Sequence, residues 1–170
     1  DAAIAQYKAD IMEEGDTIVP NGESITYTLQ PQASMTIIDQ TTGEVKALVG
    51  GRGDKTANKT LNRATGTKRQ PGSTFKILST YAPALDTGSA TLATVQDDAP
   101  YEYSNAAHTP VNNYDKSYRG FTTIRQGITY SINIVAVKTL TDLGVDVGYE
   151  YLQNFGFTTL CDSDRTQALA

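Results

Sequence analysis

The two side chains best placed for chemistry are Ser73 and Lys76, three residues apart in Pro71-Gly72-Ser73-Thr74-Phe75-Lys76. Leu78, Tyr81, Ala82 and Leu85 continue on one helical stripe, so a helix starts at the serine and both side chains leave one face about one turn apart. A lysine there can take the hydroxyl proton and make the serine a nucleophile, provided it is neutral part of the time. Burial and a neighbouring cation both favour the neutral amine. The first helical turn also leaves the Ser73 N–H free for a developing oxyanion. Ser-x-x-Lys alone is a weak signal, because a chain of this composition contains about one by chance. The same pair also reads as a capping serine beside a solvated lysine.

The elements around this pair follow from patterning. Ala2–Met12 reads as a short amphipathic helix, and Thr17–Leu29 as a hairpin about Asn21-Gly22. Ser34–Asp39 and Glu44–Val49 are rich in β-branched and aliphatic residues and flank a turn, which predicts a β-hairpin. Polar residues up to Thr67 read as a surface loop. Pro83 interrupts the helix after Ser73 and predicts a bend or early end, with Asp86-Thr87-Gly88 as the stop. Ala90–Gly120 shows no sustained period and reads as irregular. Thr123-Ile124-Arg125-Gln126 is a capping box opening a helix that breaks over Tyr130–Asn133, resumes over Ile134–Leu143 and closes at Gly144. That break is a natural place for a second set of functional side chains. Tyr149–Phe155 reads as a last short helix ending at Gly156.

Composition narrows the function classes. The 170 residues are 39% hydrophobic and 19% charged, which suits one globular domain or a large piece of one. With 14 basic against 19 acidic side chains and a net charge of -5, there is no electrostatic footprint for nucleic acid or anionic lipid. One cysteine, Cys161, and one histidine, His108, give neither an intrachain disulfide nor a Cys/His metal cluster. No metal or organic cofactor is expected. Cys161 reads as a buried or half-buried small side chain, His108 as a surface-loop residue, and Asp97-Asp98 as solvated loop acids. Tyr101, Tyr103, Tyr114 and Tyr118 read either as a groove lining or as packing and loop anchors. Arg52-Gly53-Asp54 fits a hairpin exit better than an adhesion motif, and Asn58-Lys59-Thr60 is a chance glycosylation pattern. Apolar runs such as Ile134–Val137 fall far short of the roughly 20 residues that span a bilayer, so any anchor is expected outside this sequence.

Context strengthens the serine–lysine pair. Asn62-Arg63-Ala64-Thr65 and Arg69-Gln70-Pro71-Gly72-Ser73-Thr74-Phe75-Lys76 resemble the active-site region of penicillin-binding proteins. Ile38-Asp39, Thr42-Gly43-Glu44-Val45 and Ala47-Leu48-Val49-Gly50-Gly51 resemble the hairpin that opens that family's transpeptidase domain. Asn113-Tyr114-Asp115, Tyr118-Arg119-Gly120 and Ser131-Ile132-Asn133-Ile134-Val135-Ala136-Val137-Lys138 resemble the approach to its Ser-x-Asn motif. The resemblance runs from Gln32 to Phe157, and Arg69-Gln70 is most similar to the bifunctional, class A branch.

The resemblance implies Ser73 as nucleophile, Lys76 as its base, Ser131 as a proton-relay hydroxyl and Asn133 as a partner for the substrate's amide side chain. It also implies an α/β fold of α+β type: the antiparallel sheet and helices of the serine β-lactamase and D,D-transpeptidase sandwich, with only the opening hairpin expected here. Residues 1–31 would be a lead-in, and residues 32–170 the N-terminal part of the transpeptidase domain. The family's Lys-Thr/Ser-Gly motif is missing, since Lys55-Thr56, Lys59-Thr60 and Lys138-Thr139 are not followed by glycine. The domain is therefore expected to be incomplete. The implied reaction is D,D-transpeptidation of D-Ala-D-Ala stem peptides through a serine acyl-enzyme that β-lactams would also form. The implied location is the extracytoplasmic face of a bacterial membrane, with the anchor and a glycosyltransferase domain outside this chain and other cell-wall synthesis proteins as partners. Two alternatives stay open: a serine β-lactamase, for which Glu102 and Glu150 are the glutamates after Lys76, and a non-catalytic module on the same fold.

Overall fold

The computed structural model describes residues 31–54 and 57–170, so the Ala2–Met12 helix and Thr17–Leu29 hairpin lie outside the described residues. Contacts divide the chain into two compact units, one ending at Lys68 and the other running from Arg69 to Ala170.

In the first unit, β1 (Met35–Ile38) pairs antiparallel with β2 (Val45–Val49), as the patterning predicts. The turn is built around Asp39, whose carboxylate accepts the Thr41 N–H at 2.9 Å and whose carbonyl accepts the Gly43 N–H at 2.7 Å. Gly43 takes φ 75, which glycine adopts without steric cost. Ile37 faces Ala47 but Ile38 faces Val45, so Lys46 forms a bulge. All residues of both strands are exposed. Within the expected polar loop, Asn62 caps a short helix, α1 (Arg63–Gly66), by accepting the Ala64 N–H at 3.0 Å. The Arg63 N–H returns to the Gly50 carbonyl at 2.8 Å, tying this turn to the hairpin exit.

The second unit opens with one helical run, α2, whose winding changes along its length: 3₁₀ over Gly72–Thr74, π over Lys76–Tyr81 and α over Ala82–Asp86. Pro83 neither ends nor sharply breaks the run. It lacks the N–H that Ser79 O would accept in an α-helix, and it sits in the first turn of the α segment, just past the wider π turn. Ser79 Oγ bonds the Phe75 carbonyl at 2.9 Å and the Leu169 carbonyl at 2.7 Å.

Ala90–Gly120, expected to be irregular, contains β3 (Val95–Asp98), β4 (Tyr101–Glu102) and β5 (Pro110–Val111) and ends at β6 (Gly120–Thr123). β3 pairs with β6 and β4 with β5, both antiparallel. The described residues thus hold three two-stranded sheets rather than the opening hairpin alone. Strands of two to four residues are too short to show a period, and the β3–β6 pairing is non-local.

Thr123 then caps α3 (Ile124–Thr129) with the expected capping box, and the chain breaks before α4 (Asn133–Leu143). Gly144 ends α4 at φ 99, and α5 (Val145–Asn154) begins earlier than the sequence pattern suggests. α4 is the hub of the core. Val135 and Ala136 join Tyr81, Ile124 and Ile132; Leu140 joins Tyr149 and Leu152; Ile134 and Val137 join Val111. Its unbroken Ile134–Val137 run is buried throughout, so successive residues serve different clusters, while Thr141 and Asp142 face solvent. α5 lies so close to α2 that a Cβ on Gly148 would clash with the Ser79 carbonyl oxygen.

Cys161 is exposed rather than buried. Its N–H and Sγ turn toward the Asp164 carboxylate, at 2.9 and 3.2 Å, to cap a 3₁₀ turn, Asp162–Asp164, and the tail packs through Phe157, Leu160 and Leu169 instead. His108 is exposed, as expected.

Candidate active site

Ser73 and Lys76 share the first part of α2. Gly72 turns the chain into the helix at φ 59, a left-handed conformation suited to glycine and open around its Cα. The serine hydroxyl that follows is exposed, while Lys76 is only 4% exposed and continues into buried Ser79, Thr80 and Tyr81. Phe75, between the pair, packs edge-on against Phe157 with centroids 4.9 Å apart.

The Lys76 ammonium points at the second motif. Nζ donates to the Ser131 carbonyl at 2.8 Å, to Ser131 Oγ at 3.2 Å and to Asn133 Oδ1 at 2.5 Å. These bonds match the three protons of an ammonium. Among the described residues, no carboxylate lies within ion-pair reach of Lys76, and burial lowers its pKa from 10.5 to about 8. At pH 7 about one molecule in ten then carries the neutral amine, against well under one in a thousand for a free lysine.

Ser-x-Asn forms the joint between two helices. Ser131 has φ 52, its N–H bonds the Ile128 carbonyl at 3.2 Å, and the Ile132 N–H bonds the Gly127 carbonyl at 2.9 Å. This is a Schellman closure of α3 with serine at the left-handed position that glycine usually fills. The left-handed turn lets Ser131 present both its carbonyl and its hydroxyl to Lys76. Ile132 buries at 3% exposure, and Asn133 is the first residue of α4.

Of the residues singled out from sequence, Lys76, Ser131 and Asn133 are brought into direct contact. Ser73 lies one turn before Lys76, but among the described residues no side chain hydrogen-bonds its hydroxyl. Such contacts often tighten only when substrate is bound.

Two participants escaped the sequence reading. Asn113 Oδ1 accepts the N–H groups of Asn133 at 3.0 Å and Ile134 at 3.3 Å, while its Nδ2 donates to Asp98 Oδ1 and to the Ser117 carbonyl, each at 2.8 Å. Asp98 is 0% exposed, so the expectation of a solvated loop acid is corrected: its second oxygen accepts the Arg119 N–H at 3.0 Å, which satisfies the buried carboxylate. The Asn112 carbonyl also accepts Asn133 Nδ2, at 2.6 Å. No periodicity marks these residues. The nearest signal is the Asn113-Tyr114-Asp115 stretch, which carries part of the resemblance but no role of its own.

Nearby, the Arg119 guanidinium stacks 4.5 Å from the Tyr130 ring centre and pairs with Asp115 at 3.3 Å. Tyr101 and Tyr103 pack against the Val111–Ile134–Val137 cluster, whereas Tyr114 and Tyr118 are exposed. Among the described residues, no group of three or more His, Cys, Asp or Glu could hold a metal ion.

Comparison with known proteins identifies the family of the chain. Residues 33–168 match the family model described as the penicillin binding protein transpeptidase domain. A curated penicillin-binding protein 1A from Clostridium tetani is 35% identical across 100% of this chain, which spans 22% of that relative's length. The crystal structure of penicillin-binding protein 1A from Haemophilus influenzae superposes with a TM-score of 0.60 at 34% identity, covering 67% of this chain and 17% of that one. The D,D-transpeptidase domain of a peptidoglycan glycosyltransferase from Eggerthella lenta gives a TM-score of 0.53 at 31% identity, over 60% of this chain and 24% of that one. A helix-borne Ser-x-x-Lys whose lysine is held by a Ser-x-Asn joint, on a chain matched over most of its length, makes this protein a member of the penicillin-binding protein transpeptidase family.

Proposed function

We propose that this chain carries the acylating half of a peptidoglycan D,D-transpeptidase site, with Ser73 as nucleophile. The observation that carries this reading is the buried Lys76, one turn past the serine, bonded to Ser131 and Asn133 and poised to be partly neutral. Residues 32–170 would lie within the transpeptidase domain and residues 1–31 would lead into it; the family match over 33–168 supports that boundary. The full-length protein would act at the extracytoplasmic face of a bacterial membrane, tethered through segments outside this chain, alongside other cell-wall synthesis proteins.

In the proposed cycle, neutral Lys76 takes the Ser73 Oγ proton as Oγ bonds the carbonyl carbon of a D-Ala-D-Ala link. The carbonyl oxygen becomes an oxyanion beside the first-turn N–H of Ser73. Its collapse breaks the C–N bond, and terminal D-Ala leaves as an amine after receiving a proton. A neighbouring stem-peptide amine then attacks the ester, forms the cross-link and returns Ser73 to its hydroxyl. Ser131 Oγ, 3.2 Å from Lys76 Nζ, lies within reach to relay these protons. Asn133 is half-exposed, and the Nδ2 proton not given to the Asn112 carbonyl would bond the substrate's amide side chain. A β-lactam would acylate the same serine but leave no departing amine.

The hydrolytic alternative, a serine β-lactamase, needs a carboxylate to activate the deacylating water. Glu102 faces exposed His108 at 3.5 Å, Glu150 is exposed, and neither bonds Lys76, Ser131 or Asn133. This favours transfer. Mixing the full-length protein carrying this sequence with a chromogenic β-lactam should give a burst of about one equivalent and then little turnover. Sustained turnover would instead favour the hydrolase, and no burst the non-catalytic module.

A further inference from the structure

We propose that Asp98 and Asn113 are positioning residues of the acylation site: Asn113 Oδ1 caps the helix that begins at Asn133, and the buried Asp98 carboxylate sets which way the Asn113 amide faces. This rests on the transpeptidase reading and extends it to two residues outside the Ser-x-x-Lys and Ser-x-Asn motifs.

The need for a cap is visible in the sequence. α4 is preceded by Ile132, an apolar residue with no side-chain oxygen for the first N–H groups of the helix. Asn113, twenty residues earlier, supplies that oxygen to Asn133 N and Ile134 N. An asparagine amide has nearly the same shape in either orientation, so something must decide which end meets the helix. Flipped, it would set its N–H groups against two more N–H groups. Both protons of Asn113 Nδ2 are instead claimed by the Asp98 carboxylate and the Ser117 carbonyl.

Asp98 suits this task because an ionised carboxylate only accepts hydrogen bonds. Its oxygens take Asn113 Nδ2 and the Arg119 N–H, so an amide in its place would turn an N–H toward one of two donors. The grip on Asn133 is completed by the Asn112 carbonyl, which holds Asn133 Nδ2. With the backbone N–H and the side-chain amide N–H both held by Asn112-Asn113, Asn133 Oδ1 is left facing Lys76 Nζ. The chain of contacts therefore runs from buried Asp98 through Asn113 and Asn133 to the catalytic amine.

The test is a double-mutant cycle on the full-length protein, reading the second-order rate constant for acylation by a fluorescent penicillin, with thermal midpoints alongside. Asn113→Ala and Asp98→Asn should each slow acylation by about tenfold or more when made alone. In an Asn133→Ala background, either change should slow it by less than about twofold, because its route to Lys76 is already cut. A purely structural role would slow both backgrounds alike. Equal slowing in the two backgrounds, or wild-type rates in the single variants, overturns the proposal. If Asn113→Ala does not fold, the Asp98→Asn cycle gives the same reading; if neither variant folds, the pair is structural and the proposal falls. A wild-type protein that takes up no penicillin overturns the transpeptidase reading itself, a result distinct from all of these.

Discussion

Lys76→Arg is expected to slow acylation of Ser73 by a β-lactam about 10²–10⁴-fold, the range that a positioned general base contributes. Arginine keeps the positive charge and can still donate to the Ser131 carbonyl and Asn133 Oδ1, so the hydrogen-bond frame is largely retained. What it cannot do is lose a proton near neutral pH. Lysine can, because burial without a carboxylate partner lowers its pKa to about 8. Stopped-flow acylation beside a thermal melt separates lost chemistry from lost fold. A variant that folds and acylates within a few-fold of wild type would show that Lys76 holds the site together without serving as its base.

Asn133→Asp should act on the same amine in the opposite electrostatic sense. Asn133 Oδ1 lies 2.5 Å from Lys76 Nζ, so the substitution places a carboxylate against the ammonium. An opposite charge at that distance favours the charged form and raises the lysine pKa. In wild type, acylation should climb with pH and level off above about 8, where Lys76 becomes neutral. In the variant that midpoint should move up by one unit or more, so the rate at pH 7 falls by about tenfold or more. Because Asn133 Nδ2 bonds the Asn112 carbonyl, the new carboxylate also loses that contact, and a lowered plateau is expected too. The rise in midpoint is the decisive sign. An unchanged midpoint with a lower plateau would mean that the group titrating in the rate profile is not Lys76, and that Lys76 is not the base.

These effects turn on features the sequence revealed unevenly. The hairpin, the helix starting at Ser73, the capping box at Thr123 and the break before α4 were legible because each is written in local chemistry: β-branched arms, a Pro-Gly entry, a Thr-x-x-Gln box and a stretch that interrupts helical spacing. The Schellman joint was only half legible. A break was expected, but serine at a position where glycine is usual gives no sign of a left-handed turn. The short strands between Ala90 and Gly120 were hidden because two to four residues carry no period and β3 closes on β6 across the intervening hairpin.

Asp98 shows the limit most clearly. An Asp-Asp pair in a polar stretch is most simply read as solvated, and only the fold shows that Asp97 is exposed while Asp98 is buried beneath Asn113 and Arg119. Cys161 misleads in the reverse direction: free cysteines usually bury, but this one lies at a 3₁₀ cap, where Asp164 holds its N–H in the open. The π winding over Lys76–Tyr81, just ahead of Pro83, was likewise not legible, because the apolar stripe reads as an ordinary helix. The motifs and the family resemblance they carry pointed to all four candidate residues, and tertiary contacts supplied the partners of three of them.

The account rests centrally on Ser73 as the nucleophile, and mass spectrometry of the intact full-length protein after incubation with a penicillin tests it most directly, with peptide mapping and a Ser73→Ala control. A single penicilloyl adduct that maps to Ser73 and is absent from the control is the predicted result. An adduct on another residue, or none on a folded full-length protein, would contradict the account.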